Sequence, residues 1–312
     1  MVLSGGFSFE REVSLASGRR ACQELESQGI DTLATDTDQH LLIRLQQERP
    51  DAVLNLLHGP RGEDGTIAEI LEMATVPYVG PPPQAARLAF DKPTAKELVH
   101  RSGIATPASS VLPLETFQEL GAEGIIAALV DKIGLPLVVK PARGGSALGL
   151  TIVHEAHDVS SAMVQCFAYS EAALIEKYVV GTEVALTIIE EDSEPVALPL
   201  VQIAFSKGRY DYQARYTAGE VEFIIPSDLP TAIQDCARKT GIAIHQGLGL
   251  RDWSRIDMII DEAGTPNFLE ATSCPGLTHT SAVPVAIAAS GRVLGNVLLQ
   301  LVERSIARSR RH

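Results

Sequence analysis

The chain has 312 residues, 45% hydrophobic and 21% charged, with a net charge of −13. That is enough apolar material for two or three lobes, while the acidic balance argues against general nucleic-acid binding. No apolar stretch reaches the roughly 20 residues needed to span a bilayer, and the scattered Cys22, Cys166, Cys236 and Cys274 show neither a CxxC pair nor zinc spacing.

The chain begins Met1-Val2-Leu3-Ser4-Gly5-Gly6, a short strand running into a glycine turn. It has no basic leader segment and no apolar signal core, so a cytoplasmic protein with inert thiols is expected. Val13 to Gln28 carries Val13, Leu15, Ala21 and Leu25 at helical spacing. The run Asp51 to Leu57 reads as a parallel strand covered on both faces. Asp64 to Met73 reads as a helix, and Val76 to Gly80 as another strand. Together these predict an open parallel sheet with crossover helices over residues 1–83, closed by the rigid break Gly80-Pro-Pro-Pro83.

A central unit over residues 84–179 follows. Asp91 is placed to cap a helix running to Arg101, with Pro93 in its first turn. Leu135 to Lys140 reads as a strand that leads into the glycine-rich turn Arg143 to Gly149, and a strand resumes at Leu150 to Val153. Ala173 to Val179 reads as a more exposed strand. The last unit, residues 180–312, starts with two strands, Val184 to Ile189 and Val196 to Ile203, paired around the acidic turn Glu190 to Glu194. Residues 205–220 are polar and hold Tyr210, Tyr212 and Tyr216, which reads as a lid or binding loop. A helix over Thr231 to Gln246 precedes two further strands, and residues 282–309 read as helical with a basic end.

The strongest chemical signal lies on those two strands. Asp257 alternates with apolar Ile256, Met258 and Ile260, and Glu270 closes Asn267-Phe-Leu-Glu270 after a short turn. Paired carboxylates with a third oxygen side chain at Thr272 suit a hard cation holding phosphates. Arg255 beside them suits an anion, and Pro275-Gly276 leaves a backbone N–H for the same site. In so acidic a chain a polyphosphate needs local cations, for which Lys92, Lys140, Lys177, Arg215 and Arg255 are candidates. The glycine turn after Lys140 reads equally as phosphate cover or as a flexible hairpin; it is not a GxxxxGK[ST] loop. His58 follows a strand end, where open parallel sheets place ligands. His154 and His157 lack a third ligand and read as surface residues.

Set in order, the pieces are Gly5-Gly6-x-Ser8-x-Glu10-Arg11-Glu12-Val13-Ser14-Leu15, His58-Gly59-x-x-Gly62-Glu63-Asp64-Gly65, Asp91-Lys92, Val139-Lys140-Pro141 and Gly145-Ser146. Tyr210-Asp211-Tyr212-x-Ala214-Arg215-Tyr216, Arg255-Ile256-Asp257, Pro275-Gly276-x-Thr278 and Ser281 follow. This series resembles the D-alanine–D-alanine ligase family of ATP-grasp enzymes, over nearly the whole chain. The resemblance implies an α/β fold with α+β lobes, in which central and C-terminal units clamp ATP beside an N-terminal substrate unit. It implies that ATP phosphorylates one D-alanine and that the amine of a second D-alanine displaces the phosphate, supplying peptidoglycan synthesis. It also implies Mg²⁺, as two ions with Mn²⁺ able to substitute, and a homodimer acting on small molecules, with no nucleic acid and no membrane.

Residue by residue, the resemblance gives Glu10 the first ammonium group and puts His58 near the first carboxylate. It sets Lys92, Lys140, Gly145, Ser146, Ala147 and Arg215 at the phosphates, and Glu176, Lys177 and Glu183 around adenine and ribose. Glu10, Ser146 and Tyr216 would close the site through hydrogen bonds. Arg255 and the Gly276 N–H would stabilise an oxyanion, Ser281 and Ala282 would meet the second substrate, and Asp257, Glu270 and Thr272 would hold the metal. The chain departs from the family pattern at Thr272 (asparagine is usual), Ala147 (serine), Arg215 (lysine) and Ala282 (leucine). The departures leave two alternatives: a paralogue joining D-alanine to another D-amino or D-hydroxy acid, or a nucleotide-binding pseudo-enzyme weakened at Thr272.

Overall fold

The computed structural model describes residues 1–192, 194–205, 221–225 and 227–310. Three sheets organise them. The first is a four-stranded sheet ordered β2-β1-β3-β4, where β1 is Val2–Leu3, β2 Ala34–Thr35, β3 Val53–Asn55 and β4 Tyr78–Val79. Every pairing in it is parallel, as the apolar runs require. Helices α1 (Arg11–Glu26), α2 (Leu41–Glu48) and α3 (Thr66–Met73) make the crossovers. Neither β2 nor α2 is legible in the sequence, because Leu41 and Leu45 are α2's only buried residues.

Helix α4 (Pro83–Phe90) starts on the last proline of the expected break, where a missing N–H costs nothing. Helix α5 (Lys92–Arg101) is capped as expected, its Thr94 N–H donating to the Asp91 carboxylate at 3.0 Å. The second sheet is antiparallel, ordered β5-β8-β6-β7, from β5 (Ser109–Pro113), β6 (Leu137–Pro141), β7 (Thr151–Val153) and β8 (Ala172–Lys177). Helices α6 (Leu114–Leu120), α7 (Ala122–Ile133) and α8 (Val159–Phe167) accompany it. The expected exposed strand is instead interior: β8 lies between β5 and β6, and Ala173, Leu174, Ile175 and Glu176 are buried. Its Glu and Lys made it look solvated, but Glu176 is paired rather than wet.

The third sheet runs β12-β11-β9-β13-β14, with β10 also on β9. Its strands are β9 (Gly181–Glu191), β10 (Glu194–Ala197), β11 (Val201–Phe205), β12 (Val221–Ile224), β13 (Trp253–Asp261) and β14 (Pro266–Thr272). The strand expected over Val196 to Ile203 is two strands, both antiparallel to β9, broken at residues 198–200. Helix α9 (Thr231–Gly247) backs the sheet, and the expected C-terminal helical stretch is α10 (Ala282–Ala289) followed by α11 (Leu294–Ser309).

One apolar core joins the first and third sheets: Val2, Leu54 and Val79 share it with Ala185, Trp253, Val283 and Leu298. The second sheet has a separate core, drawn entirely from Leu112 to Ile175. Tying the first and third together is Asp252, fully buried. It accepts from Arg308 at 2.8 and 3.0 Å and from the Gly80 N–H at 2.8 Å. No single helix among the described residues is long and apolar enough to cross a membrane.

Candidate active site

A cleft of about 520 Å³ opens between the second and third sheets. Strand alternation builds its third-sheet wall. Arg255 lies opposite Thr272, and Asp257 opposite Glu270, on adjacent antiparallel strands. Positions two apart share a face, so all four side chains stand together, while Ile256, Met258 and Ile260 turn into the core behind. A bulge after Asp257 shifts the register at the site, and pairing resumes with Met258 opposite Phe268. Arg255 forks Asp257 with hydrogen bonds of 2.8 and 2.7 Å, and its Nη2 reaches Thr272 Oγ1 at 3.4 Å. Two carboxylates and a hydroxyl are an all-oxygen donor set, which fits a hard divalent cation.

The cations come from two places, the second-sheet wall and helix α5, which packs on the third sheet. Lys92 Nζ lies 3.4 Å from Glu270 and also donates to the Gly144 carbonyl. Lys140 on β6 pairs with Glu176 at 2.6 Å, and Lys96 on α5 pairs with the other oxygen at 2.5 Å. Burial pushes the Glu176 carboxyl up, but Lys140 and Lys96 more than offset it and hold the group below the usual carboxylate range. Burial lowers Lys96 to about 8, against the pull of Glu176. Lys96 was not singled out from the sequence. Its signal is its place one helical turn after Lys92, on the same face of α5. Lys177 and Glu183 line the far end of the cleft. Glu176 lines it as well, with its carboxylate committed to the two lysines.

A smaller cavity of about 100 Å³ continues from the cleft toward the first sheet. Glu10 stands there at the head of α1, buried, and Ser146 Oγ–H donates to its Oε1. Burial, with Glu63 adding, raises the Glu10 carboxyl above its ordinary range, while Ser146, His58 and Lys92 oppose that. Ser146 and Ala147 both have positive φ, 57° and 58°. Such backbone costs about 1–3 kcal/mol per residue and turns Ser146 from the second sheet toward Glu10. His58 is buried, with Nε2 3.3 Å from Ser17 Oγ and Nδ1 3.7 Å from Glu63.

Gly276 faces the same cavity. A Cβ there would lie 3.0 Å from Ser281 Oγ, a contact tight enough that the hydroxyl would have to give way. Helix α1 grips this turn: Arg20 donates to the Leu277 carbonyl at 3.0 Å, and the Leu277 N–H donates to Ser17 Oγ at 3.0 Å. Ser281 shares a 2.8 Å hydrogen bond with Thr278, and Ala282 follows as the first residue of α10. The structure thus gathers Glu10, His58, Lys92, Lys140, Gly145, Ser146, Ala147, Arg255, Asp257, Glu270, Thr272, Gly276, Ser281 and Ala282 around two connected cavities. Tyr210, Tyr212, Arg215 and Tyr216, on the expected lid, lie outside the described residues. His154 and His157 are exposed, as expected of surface residues.

Comparison with known proteins bears on the fold and the family. Residues 36–81 match the family model described as D-ala D-ala ligase N-terminus, and residues 98–303 the one described as D-ala D-ala ligase C-terminus. The D-alanine–D-alanine ligase of Pelotomaculum thermopropionicum is 37% identical over 302 residues, 97% of this chain and 95% of its own. The crystal structure of the D-alanine–D-alanine ligase from Bacillus anthracis complexed with ATP superposes with a TM-score of 0.81 at 26% identity, covering 99% of this chain and 97% of the other. The VanG D-Ala:D-Ser ligase from Enterococcus faecalis superposes with a TM-score of 0.80 at 26% identity, covering 97% and 98%.

Proposed function

The chain belongs to the D-alanine–D-alanine ligase family, and we propose that it joins two D-alanines at the expense of ATP in the cleft between its second and third sheets, for peptidoglycan precursor synthesis. The observation that carries the reading is one cleft in which Asp257 and Glu270 of the third sheet meet Lys140 of the second, with Lys92 of α5 beside Glu270.

In this reading Glu10 holds the ammonium group of the first D-alanine, and His58, oriented by Ser17 and Glu63, sits by its carboxylate. Lys92 and Lys140 hold the nucleotide phosphates, under the backbone of Gly145, Ser146 and Ala147, while Lys177 and Glu183 receive the adenosine end. Asp257, Glu270 and Thr272 would hold Mg²⁺, as two ions. Bound there, the metal neutralises charge on the transferring phosphoryl group.

Phosphoryl transfer makes an acyl phosphate of the first D-alanine. The second D-alanine, its carboxylate held by Ser281 and Thr278, brings its amine to the acyl carbon. Carbon–nitrogen bond formation pushes charge onto the carbonyl oxygen, where Arg255 and the Gly276 N–H receive it. One such preorganised donor is worth about 3–4 kcal/mol of barrier. Phosphate then leaves. In the same reading Arg215 adds a contact to the phosphates, and Tyr216 joins Ser146 and Glu10 in keeping water from the acyl phosphate. The same proposal takes the units as 1–83, 84–179 and 180–312, a homodimeric assembly and a cytoplasmic location.

The test is ADP and phosphate release that requires D-alanine, with the dipeptide identified by mass. ATP binding without D-alanine-dependent turnover would sink the reading and favour a nucleotide-binding pseudo-enzyme.

A further inference from the structure

Three side chains of metal-ligating type converge in the smaller cavity, apart from the opposed carboxylates of β13 and β14 in chain and in donor type. His58, Glu63 and Cys274 each bring one ligand atom to within 4.8 Å of the other two. They come from different segments: His58 and Glu63 from the turn after β3, Cys274 from the turn after β14. His58 and Cys274 are buried and Glu63 is nearly so, yet all three line the cavity.

The histidine is already held as a metal ligand would be. Its Nε2 lies 3.3 Å from Ser17 Oγ, and the Leu277 N–H fixes that hydroxyl from the other side at 3.0 Å. A ring tethered through one nitrogen presents the other in a set direction, and Nδ1 is the atom turned to Glu63. Tetrahedral zinc, with bonds of about 2.0–2.3 Å, places its donors about 3.3–3.8 Å apart. The 3.7 Å between His58 Nδ1 and Glu63 Oε1 falls within that span. The thiol completes the set by leaving the Asn55 carbonyl, where it rests at 3.0 Å. Three protein ligands and a fourth position open to a cavity is the form of an accessible zinc site.

We propose that His58, Glu63 and Cys274 form an inhibitory site for a zinc-class divalent cation, distinct from the oxygen site at Asp257 and Glu270. Imidazole, carboxylate and thiolate select zinc or cobalt, whereas magnesium takes oxygen donors. On binding, the Cys274 S–H bond gives its proton to solvent and a sulfur–metal bond replaces it. Resting on the ligase reading, the inhibition is competitive with the first D-alanine, because Glu10 and His58 face the same cavity.

The experiment adds cobalt(II) to the metal-free full-length protein and follows the ultraviolet charge-transfer band of a thiolate–cobalt bond. One equivalent should saturate the band, zinc should abolish it, and Cys236→Ser, which alters an exposed thiol, should keep it. Cys274→Ser should lose it, and Glu63→Gln should need about tenfold or more cobalt. With magnesium in excess, zinc should raise the apparent KM for D-alanine in the wild type, and about tenfold or more zinc should be needed in Cys274→Ser. A band that survives Cys274→Ser, or zinc that competes with magnesium instead of D-alanine, overturns the proposal. A cobalt band in a protein that makes no dipeptide would keep the site and remove only the ligase reading.

Discussion

Asp257 and Glu270 are directly opposed residues of adjacent antiparallel strands, and Arg255 and Thr272 form the next opposed pair on the same face. The proposed metal site therefore depends on a register, and a one-residue slip of β14 against β13 would turn Glu270 and Thr272 to the opposite face of the sheet.

The Thr272 hydroxyl is the short arm of that quartet. Thr272→Asn, which extends the oxygen toward the carboxylates, should lower the Mg²⁺ concentration for half-maximal phosphate release. Magnesium needs oxygens at about 2.0–2.1 Å in a near-octahedral array. A metal titration identical to that of the wild type would refute the idea.

Lys140 and Glu176 should separate catalysis from folding. Lys140→Met leaves Glu176 paired with Lys96 at 2.5 Å, so the protein should stay folded while the KM for ATP rises about tenfold or more. Glu176→Gln strips both buried lysines of their counter-charge and should cost about 3–5 kcal/mol of stability. Chemical denaturation and ATP kinetics on the two variants read the contrast; equal stabilities would contradict it.

Glu10 predicts a pH signature. Burial, with Glu63 adding, lifts its carboxyl above the ordinary value. A carboxyl with a higher pKa folded than unfolded contributes stability that is whole below the unfolded value, about 4.3, and is lost as pH rises through the folded value. Glu10→Gln is never charged, so it should melt above wild type at neutral pH, with the gap closing as pH falls below that range. Dipeptide synthesis should fall sharply in the same variant. A melting-temperature gap that grows toward acid would contradict the sign.

Asp252 should be structural only. It is fully buried, joins Arg308 to the Gly80 N–H, and lies outside both cavities. Asp252→Ala leaves those donors uncompensated and should cost about 3–5 kcal/mol. At a temperature where the variant is still folded, its KM values should match the wild type, and a changed KM for ATP would count against this assignment.

Ala282 opens α10 beside Ser281 and lines the smaller cavity, where the proposed reaction takes its second substrate. Its small side chain should admit D-serine or D-2-aminobutyrate as second substrate, and Ala282→Leu should shift selectivity toward D-alanine by about tenfold, the worth of one apolar contact. A substrate panel that is equally strict in both proteins would dismiss it.

Much of this site was legible because its chemistry is written locally. The glycine turns, the strand alternation around Asp257 and the ordered blocks each carry their own signal. Lys96 was not, since a lysine one turn after another reads as a wet helix face until β8 brings Glu176 over it. Asp252 was not, because it looks like a turn residue until α11 returns with Arg308. Cys274 reads as an inert thiol, and its place beside His58 and Glu63 is not legible because they lie about 200 residues earlier in the chain. Strand β8 was misjudged for the same reason, its carboxylate being neutralised from another element. What the chain hides is pairing at long sequence separation.

The shared apolar interior of the first and third sheets has a mechanical meaning. The cavity at Glu10 and His58 and the wall at Asp257 and Glu270 stand on one continuous interior, which fixes their mutual alignment. The piece bearing Lys140 is held together by its own separate interior. In the proposed reaction, admitting ATP and discharging ADP would be the travel of that single jaw against a fixed anvil, with the Lys96–Glu176 and Ser146–Glu10 contacts remade at each stroke.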